Sequence, residues 1–223
     1  MLKAVFFDMN ETVLNLSRLK ESFGKHFDDD YVVKYWFTKL LHTSTVTGIM
    51  DEYKNFGELG AVVLENIFFE QGKELIPEIK AEILDSFRKL PAYDDIAEAL
   101  EILRQNRIRA IAVSNSSLAM IKKQLTNAGI IDLFDAYYSV DAVSKYKPFK
   151  DVYLYAVQEE NVFPEDVVMV ATHDWDLFGA KKAGLKTAYI QRKKEIFNPY
   201  YSQPDIKKAD MVELVREIIR IHE

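Results

Sequence analysis

Asp8 is the residue of this chain best placed to act as a nucleophile. It follows the apolar run Ala4-Val5-Phe6-Phe7 and opens the turn Met9-Asn10-Glu11-Thr12. A carboxylate there stands at the carboxyl end of a buried strand, the edge where open α/β sheets gather their reactive groups. Two positions on, Asn10 supplies an amide, which can orient a neighbour but cannot shuttle a proton. The reaction therefore needs a leaving group that departs as a stable anion without help. Three more polar groups fall just past apolar runs: Ser114-Asn115, Lys147 and Asp176. Any one of them alone reads as a helix cap or loop residue. Together they place a carboxylate, a hydroxyl with an amide, an ammonium and a second carboxylate at one edge.

The elements that must position these groups are legible as alternating apolar and amphipathic stretches. Strands are expected at Lys3–Asp8, Arg109–Asn115, Ala136–Val140, Val167–Thr172 and Lys186–Gln191, each an apolar run of the length of a strand buried on both faces. Helices are expected at Asp94–Gln105, Ser117–Asn127, Lys150–Glu160, Trp175–Ala183 and Ala209–His222, with Gly129 and Gly184 as C-terminal stops. This is the pattern of βαβ units around a parallel sheet. Between Val13 and about Leu90 the alternation gives way to helical periodicity, as in Val33, Trp36, Phe37, Leu40 and Leu41. The expected fold is α/β, a Rossmann-like parallel sheet core built from 1–13 and 91–223 with an inserted helical cap domain at 14–90. An insertion that leaves just after Asp8 sits over the reactive edge.

Composition narrows the chemistry. The 223 residues include no cysteine, which excludes disulfides, thiolate metal sites and cysteine nucleophiles. A net charge of −6 argues against a nucleic-acid footprint. No apolar stretch approaches the roughly 20 residues that span a bilayer, and the first strand leaves no room for a signal peptide. A cytoplasmic protein with no membrane association is expected.

The segments Phe7-Asp8-Met9-Asn10-Glu11-Thr12-Val13-Leu14, Val113-Ser114-Asn115, Tyr146-Lys147-Pro148 and His173-Asp174-Trp175-Asp176 resemble the four ordered motifs of the haloacid dehalogenase superfamily. Within it, the chain most resembles the type II L-2-haloacid dehalogenases. The Asn-Glu-Thr form of the first motif, Trp36-Phe37, Asn55-Phe56-Gly57 and the Trp-Asp of the fourth motif carry that similarity. Phosphate-transferring relatives carry a second aspartate where Asn10 stands. An alkoxide needs the proton that such an acid supplies, whereas a halide leaves unaided.

The resemblance implies that Asp8 attacks C2 of a small (S)-2-haloalkanoic acid, forming an aspartyl ester that water cleaves at the Asp8 carbonyl. It implies Thr12 and Lys147 as holders of Asp8, and Ser114 and Asn115 as ligands of the substrate carboxylate, Asn115 also facing the halide. Asp176, with His173, is the candidate for activating water. Asn10, Trp36, Phe37 and Phe56 are candidate substrate-binding residues, although aromatic residues at helical spacing also serve as core. No cofactor or metal is expected. The alternative is a magnesium-dependent phosphatase-like hydrolase of activated phosphate esters, with Asp8 and Asp176 as ligands. Two departures stand out. The cap arginine of type II enzymes has no counterpart near Lys34 and Lys39, Arg18 lying earlier, and His173 stands where asparagine is common. A small-molecule substrate and a homodimer are the expected partners.

Overall fold

A computed structural model describes residues 2–222. Its centre is a six-stranded, all-parallel sheet: β1 (Ala4–Phe7), β2 (Arg109–Ser114), β3 (Ala136–Ser139), β4 (Val167–Ala171), β5 (Lys186–Ile190) and β6 (Ile206–Lys208), in the order β3-β2-β1-β4-β5-β6. β1 and β4 are buried along their whole length, which is why their sequences are continuous apolar runs rather than alternating ones. Phe7 pairs with Ala112 of β2 on one side and Val170 of β4 on the other. That register brings Asp8, Ser114-Asn115 and Thr172-His173 to the same edge. The fold expected from sequence is therefore borne out, with one strand added. β6 escaped the sequence reading because Ile206-Lys207-Lys208 is short, charged and at the sheet margin, where one apolar side chain suffices.

Helices α5 (Ile96–Gln105), α6 (Leu118–Asn127), α7 (Lys150–Glu159), α8 (Asp174–Lys182) and α9 (Met211–Arg220) cover the sheet. α5 packs on β2 and α9, whereas α8 packs on β4, β5 and α7. Gly129 and Gly184 follow α6 and α8 with φ of +72° and +94°, the left-handed conformation that ends a helix at little steric cost.

The helical insertion comprises α1 (Lys20–Gly24), α2 (Tyr31–Ile49), α3 (Phe56–Glu70) and α4 (Pro77–Arg88). Its outgoing and returning connections are stitched side by side. Asn15 N–H donates to Pro91 O at 2.8 Å, Tyr93 N–H donates to Val13 O at 3.0 Å, and Leu14 bridges Ala92. These bonds fix where the insertion is rooted, immediately beyond the turn that carries Asp8.

Candidate active site

The turn after β1 is held by its own backbone: Val13 and Leu14 N–H groups both donate to Met9 O, at 3.0 and 2.8 Å. Closing it requires Glu11 to adopt φ +64°, a left-handed conformation that costs a non-glycine residue roughly 1 kcal/mol or more. Asp8 leaves this turn buried, its N–H donating to Val170 O at 3.0 Å.

Three side chains converge on the Asp8 carboxylate. Lys147 Nζ donates to Oδ1 at 2.9 Å, Thr12 Oγ1 donates to Oδ2 at 2.8 Å, and His173 Nδ1 lies 3.0 Å from Oδ2. Thr12 is itself aimed by the Thr172 N–H, 3.0 Å from its hydroxyl oxygen. Burial alone would raise the Asp8 pKa, but the Lys147 and His173 charges outweigh it and hold the carboxyl well below the usual range. The Asp8 carboxylate is thus held ionised and in a fixed orientation.

Lys147 lies just ahead of α7, and its backbone N–H donates to Asn115 Oδ1 at 2.9 Å. The ammonium is 1% exposed and also donates to Asp176 Oδ2 at 2.8 Å. The other Asp176 oxygen accepts from Tyr153 OH at 2.5 Å. Burial and the nearby Asp8 charge push Asp176 up against the pull of Lys147. Enclosed and doubly bonded, Asp176 anchors the lysine and has no face open to water.

His173 precedes α8 and lies between two carboxylates, its Nε2 being 3.0 Å from Glu11 Oε2. Burial would lower its pKa, yet hydrogen bonds to Asp8 and Glu11 raise it from 6.5 to about 9. The ring is stacked on Trp175 at 5.1 Å, and Phe37 lies 6.1 Å away. Lys193 pairs with the other Glu11 oxygen.

Above this floor opens a cleft of about 480 Å³ lined by Glu11, Phe37, His42, Lys147, His173 and Lys193, among others. Of the three aromatic residues expected near substrate, Phe37 lines it. Trp36 is 1% exposed, donates from Nε1 to Gly60 O at 3.0 Å, and with Phe56 lines a separate cavity of about 330 Å³ beside Ser116 and Ser117. Ser114 and Asn115 are buried at the end of β2, Ser114 Oγ accepting the Ser116 N–H at 3.1 Å. Asn10 is buried and its Oδ1 has no protein partner. Lys39 turns away to pair with Glu70, and Arg18 is exposed, whereas Lys34 reaches the cleft wall 3.5 Å from Glu195. Sequence reasoning assigned no role to Glu11, Tyr153 or Lys193. Glu11 lies within the first motif, but Tyr153 and Lys193 are joined to the site only by the packing of α7 and of the segment after β5.

A magnesium ion bridging Asp8 and Asp176 does not fit these residues. The Lys147 ammonium takes the facing oxygen of each carboxylate, and Tyr153 takes the remaining Asp176 oxygen.

The sheet order and the strand-end aspartate with its lysine define a Rossmann-like α/β protein with a buried, ion-paired carboxylate at the end of its central strand. The chain belongs to the haloacid dehalogenase-like hydrolase family, whose model matches residues 5–190. It is 29% identical to the (S)-2-haloacid dehalogenase of Xanthobacter autotrophicus over 194 residues, 86% of this chain and 76% of that protein. It is 26% identical to the (S)-2-haloacid dehalogenase of Pseudomonas sp. (strain YL) over 208 residues, 92% and 89% of the two chains. The solved structure of the Xanthobacter autotrophicus L-2-haloacid dehalogenase with chloropropionic acid covalently bound superposes with a TM-score of 0.92, at 24% identity and with 98% and 99% coverage.

Proposed function

We propose that this protein hydrolytically dehalogenates a small (S)-2-haloalkanoic acid through a covalent ester on Asp8, without a metal or other cofactor. The observation that carries the proposal is the Asp8 environment. A carboxylate held ionised by the Lys147 ammonium is followed two residues on by Asn10, an amide, where phosphate-transferring relatives carry an aspartate. Displacement of halide from C2 needs the nucleophile and no proton donor. Phosphate-ester cleavage needs both an acid and a cation against anionic repulsion.

Lys34, Lys147, Lys193 and His173 line the cleft beside Glu11, Asp174 and Glu195, and each of these cations already faces a carboxylate. In this reading an anionic substrate draws on cations shared with those carboxylates, in place of the missing cap arginine. In this reading Asp8 is the nucleophile, Thr12 and Lys147 hold it, and Asp176 positions Lys147. Asn115 Oδ1 accepts the Lys147 N–H, which leaves its amide nitrogen to donate to the substrate carboxylate or the departing halide, with Ser114 fixing the loop. Residues 14–90 act as the cap and 1–13 with 91–223 as the core. Exposed Val62 and Phe69 on α3 favour a homodimer formed through that cap. A cytoplasmic location accords with the absence, among the described residues, of a helix long and apolar enough to cross a membrane.

The test is halide release from chloro-, bromo- and fluoroacetate and from both 2-chloropropionate enantiomers, with and without chelator. Release from the (S) enantiomer that survives chelation is expected. Magnesium-dependent cleavage of activated phosphate esters with no halide release would contradict the proposal.

A further inference from the structure

Glu11 is the one residue of the Asp8 turn forced into left-handed backbone, yet a charged side chain occupies the position. Strain of that kind persists where surrounding contacts over-determine it. Those contacts are His173 Nε2, 3.0 Å from Glu11 Oε2, and the Lys193 ammonium on the other oxygen. On its opposite side the same imidazole faces Asp8, Nδ1 lying 3.0 Å from Oδ2. The Trp175 ring stacks on it at 5.1 Å and the Phe37 ring lies 6.1 Å away, so aromatic neighbours as well as the two carboxylates fix its position. A carboxylate–imidazole–carboxylate line therefore ends on the group that becomes an ester.

We propose that Glu11 and His173 form a catalytic relay for the second half of the reaction, in which His173 Nδ1 takes the proton of the water that cleaves the Asp8 ester while Glu11 fixes the ring through Nε2. This deepens the haloacid reading and rests on it.

The charges dictate the timing. While Asp8 is anionic, His173 stands between two carboxylates as an imidazolium, so it steadies the nucleophile and cannot act as a base. Alkylation forms the bond between an Asp8 oxygen and C2, breaks the carbon–halogen bond with the electron pair leaving on the halide, and removes the Asp8 negative charge. One of the two anions that held the proton is then gone, and the imidazolium releases it to solvent. Glu11 still accepts from Nε2–H, so the neutral tautomer carries its proton on Nε2 and presents the Nδ1 lone pair to the ester.

Water then adds its oxygen to Asp8 Cγ and gives a proton to Nδ1. Collapse of the tetrahedral intermediate breaks the bond between Cγ and the substrate oxygen, and Nδ1–H protonates that oxygen as it leaves. The Asp8 carboxyl passes its own proton back to Nδ1, restoring the starting ion pair. The sum is haloacid plus water giving hydroxyacid, halide and one proton.

Other charged groups around the ring do not replace Glu11. Lys147 lies on the far side of Asp8, and Lys34, His42, Lys193 and Glu195 line the cleft from α2 and from the segment after β5. Asp174 is turned to the backbone N–H groups of Trp175 and Asn198.

The test is rapid-quench kinetics of the full chain with (S)-2-chloropropionate, following chloride release and the mass of the Asp8 peptide. In His173→Gln a stoichiometric chloride burst and an accumulating Asp8 ester are expected, with ester hydrolysis slowed about 10²-fold or more. Glu11→Gln keeps an acceptor for Nε2–H but removes the charge. It should move the acid limb of ester hydrolysis to lower pH by roughly half a unit or more, a shift that a purely structural role would not give. A wild-type burst with no ester accumulating in His173→Gln overturns the relay alone, as does a pH profile unmoved in Glu11→Gln. If His173→Gln does not fold, that profile decides. No halide release from the wild type overturns the dehalogenase reading and the relay with it.

Discussion

Replacing Lys147 with methionine keeps most of the side-chain volume and removes the charge that Asp8 and Asp176 share. The ammonium is 1% exposed and lies 2.9 and 2.8 Å from the two carboxylates. A near-contact charge pair at an effective dielectric of about 20 is worth about 4 kcal/mol. Two such attractions are offset by the cost of burying the ammonium, and breaking a buried ion network by removing one partner costs about 3–5 kcal/mol. That figure should hold near neutral pH. Burial and the nearby Asp8 charge already push Asp176 above its ordinary pKa, and loss of Lys147 raises it further, whereas Asp8 keeps His173 as a counter-charge. The folded variant then binds more protons than its unfolded chain, so its stability falls as pH rises from the unfolded Asp176 value to the folded one. Urea unfolding of wild type and variant near pH 5 and pH 8 should show the larger deficit at the higher pH, by about 1 kcal/mol or more. A deficit below about 1 kcal/mol, or one independent of pH, would refute the placement of Lys147 as the shared counter-charge.

Two further outcomes follow from the geometry. His173 rises from 6.5 unfolded to about 9 folded, so its ion pairs stabilise the fold fully below the first value and are lost as pH climbs through the second. Relative to His173→Gln, the wild type should lose about 3 kcal/mol of unfolding free energy between roughly pH 6 and pH 10, and a difference that stays constant across that range would contradict the pairing. At Gly179 of α8 an added Cβ would meet Pro148 Cβ at 2.5 Å and Pro148 O at 2.6 Å. Gly179→Ala should therefore destabilise by about 1–3 kcal/mol and lower kcat by pushing α8, with Asp176, away from the Lys147 loop; unchanged Tm and kcat would show that the contact is not tight.

Much of this site was legible because parallel topology converts strand ends into neighbours. Asp8, Ser114-Asn115, His173 and Asp176 each fall at or within a few residues of the end of an apolar run. What sequence could not supply was orientation. Trp36 and Phe37 are adjacent in α2, and the helical period alone does not say that Phe37 faces the cleft while Trp36 faces Gly60. Asp176 reads, with His173, as the candidate for activating water, but the helix turns it beneath Lys147 and against Tyr153, a residue whose relevance depends on α7 packing on α8. Glu11 reads as an unremarkable turn residue, because the left-handed backbone that directs its carboxylate to His173 has no signature in residue type. β6 was invisible for the complementary reason that an edge strand of three residues needs no apolar run.

Covalent catalysis by Asp8 is the centre of the account, and single-turnover hydrolysis in isotopically labelled water tests it most directly. With enzyme in excess over (S)-2-chloropropionate, water attacks the ester carbonyl, so the label should enter the Asp8 carboxylate and be found in the peptide that contains it. The hydroxyacid released in that turnover should be unlabelled. Label passing straight into the product, with none in Asp8, would show that water attacks the substrate directly and would contradict the covalent route.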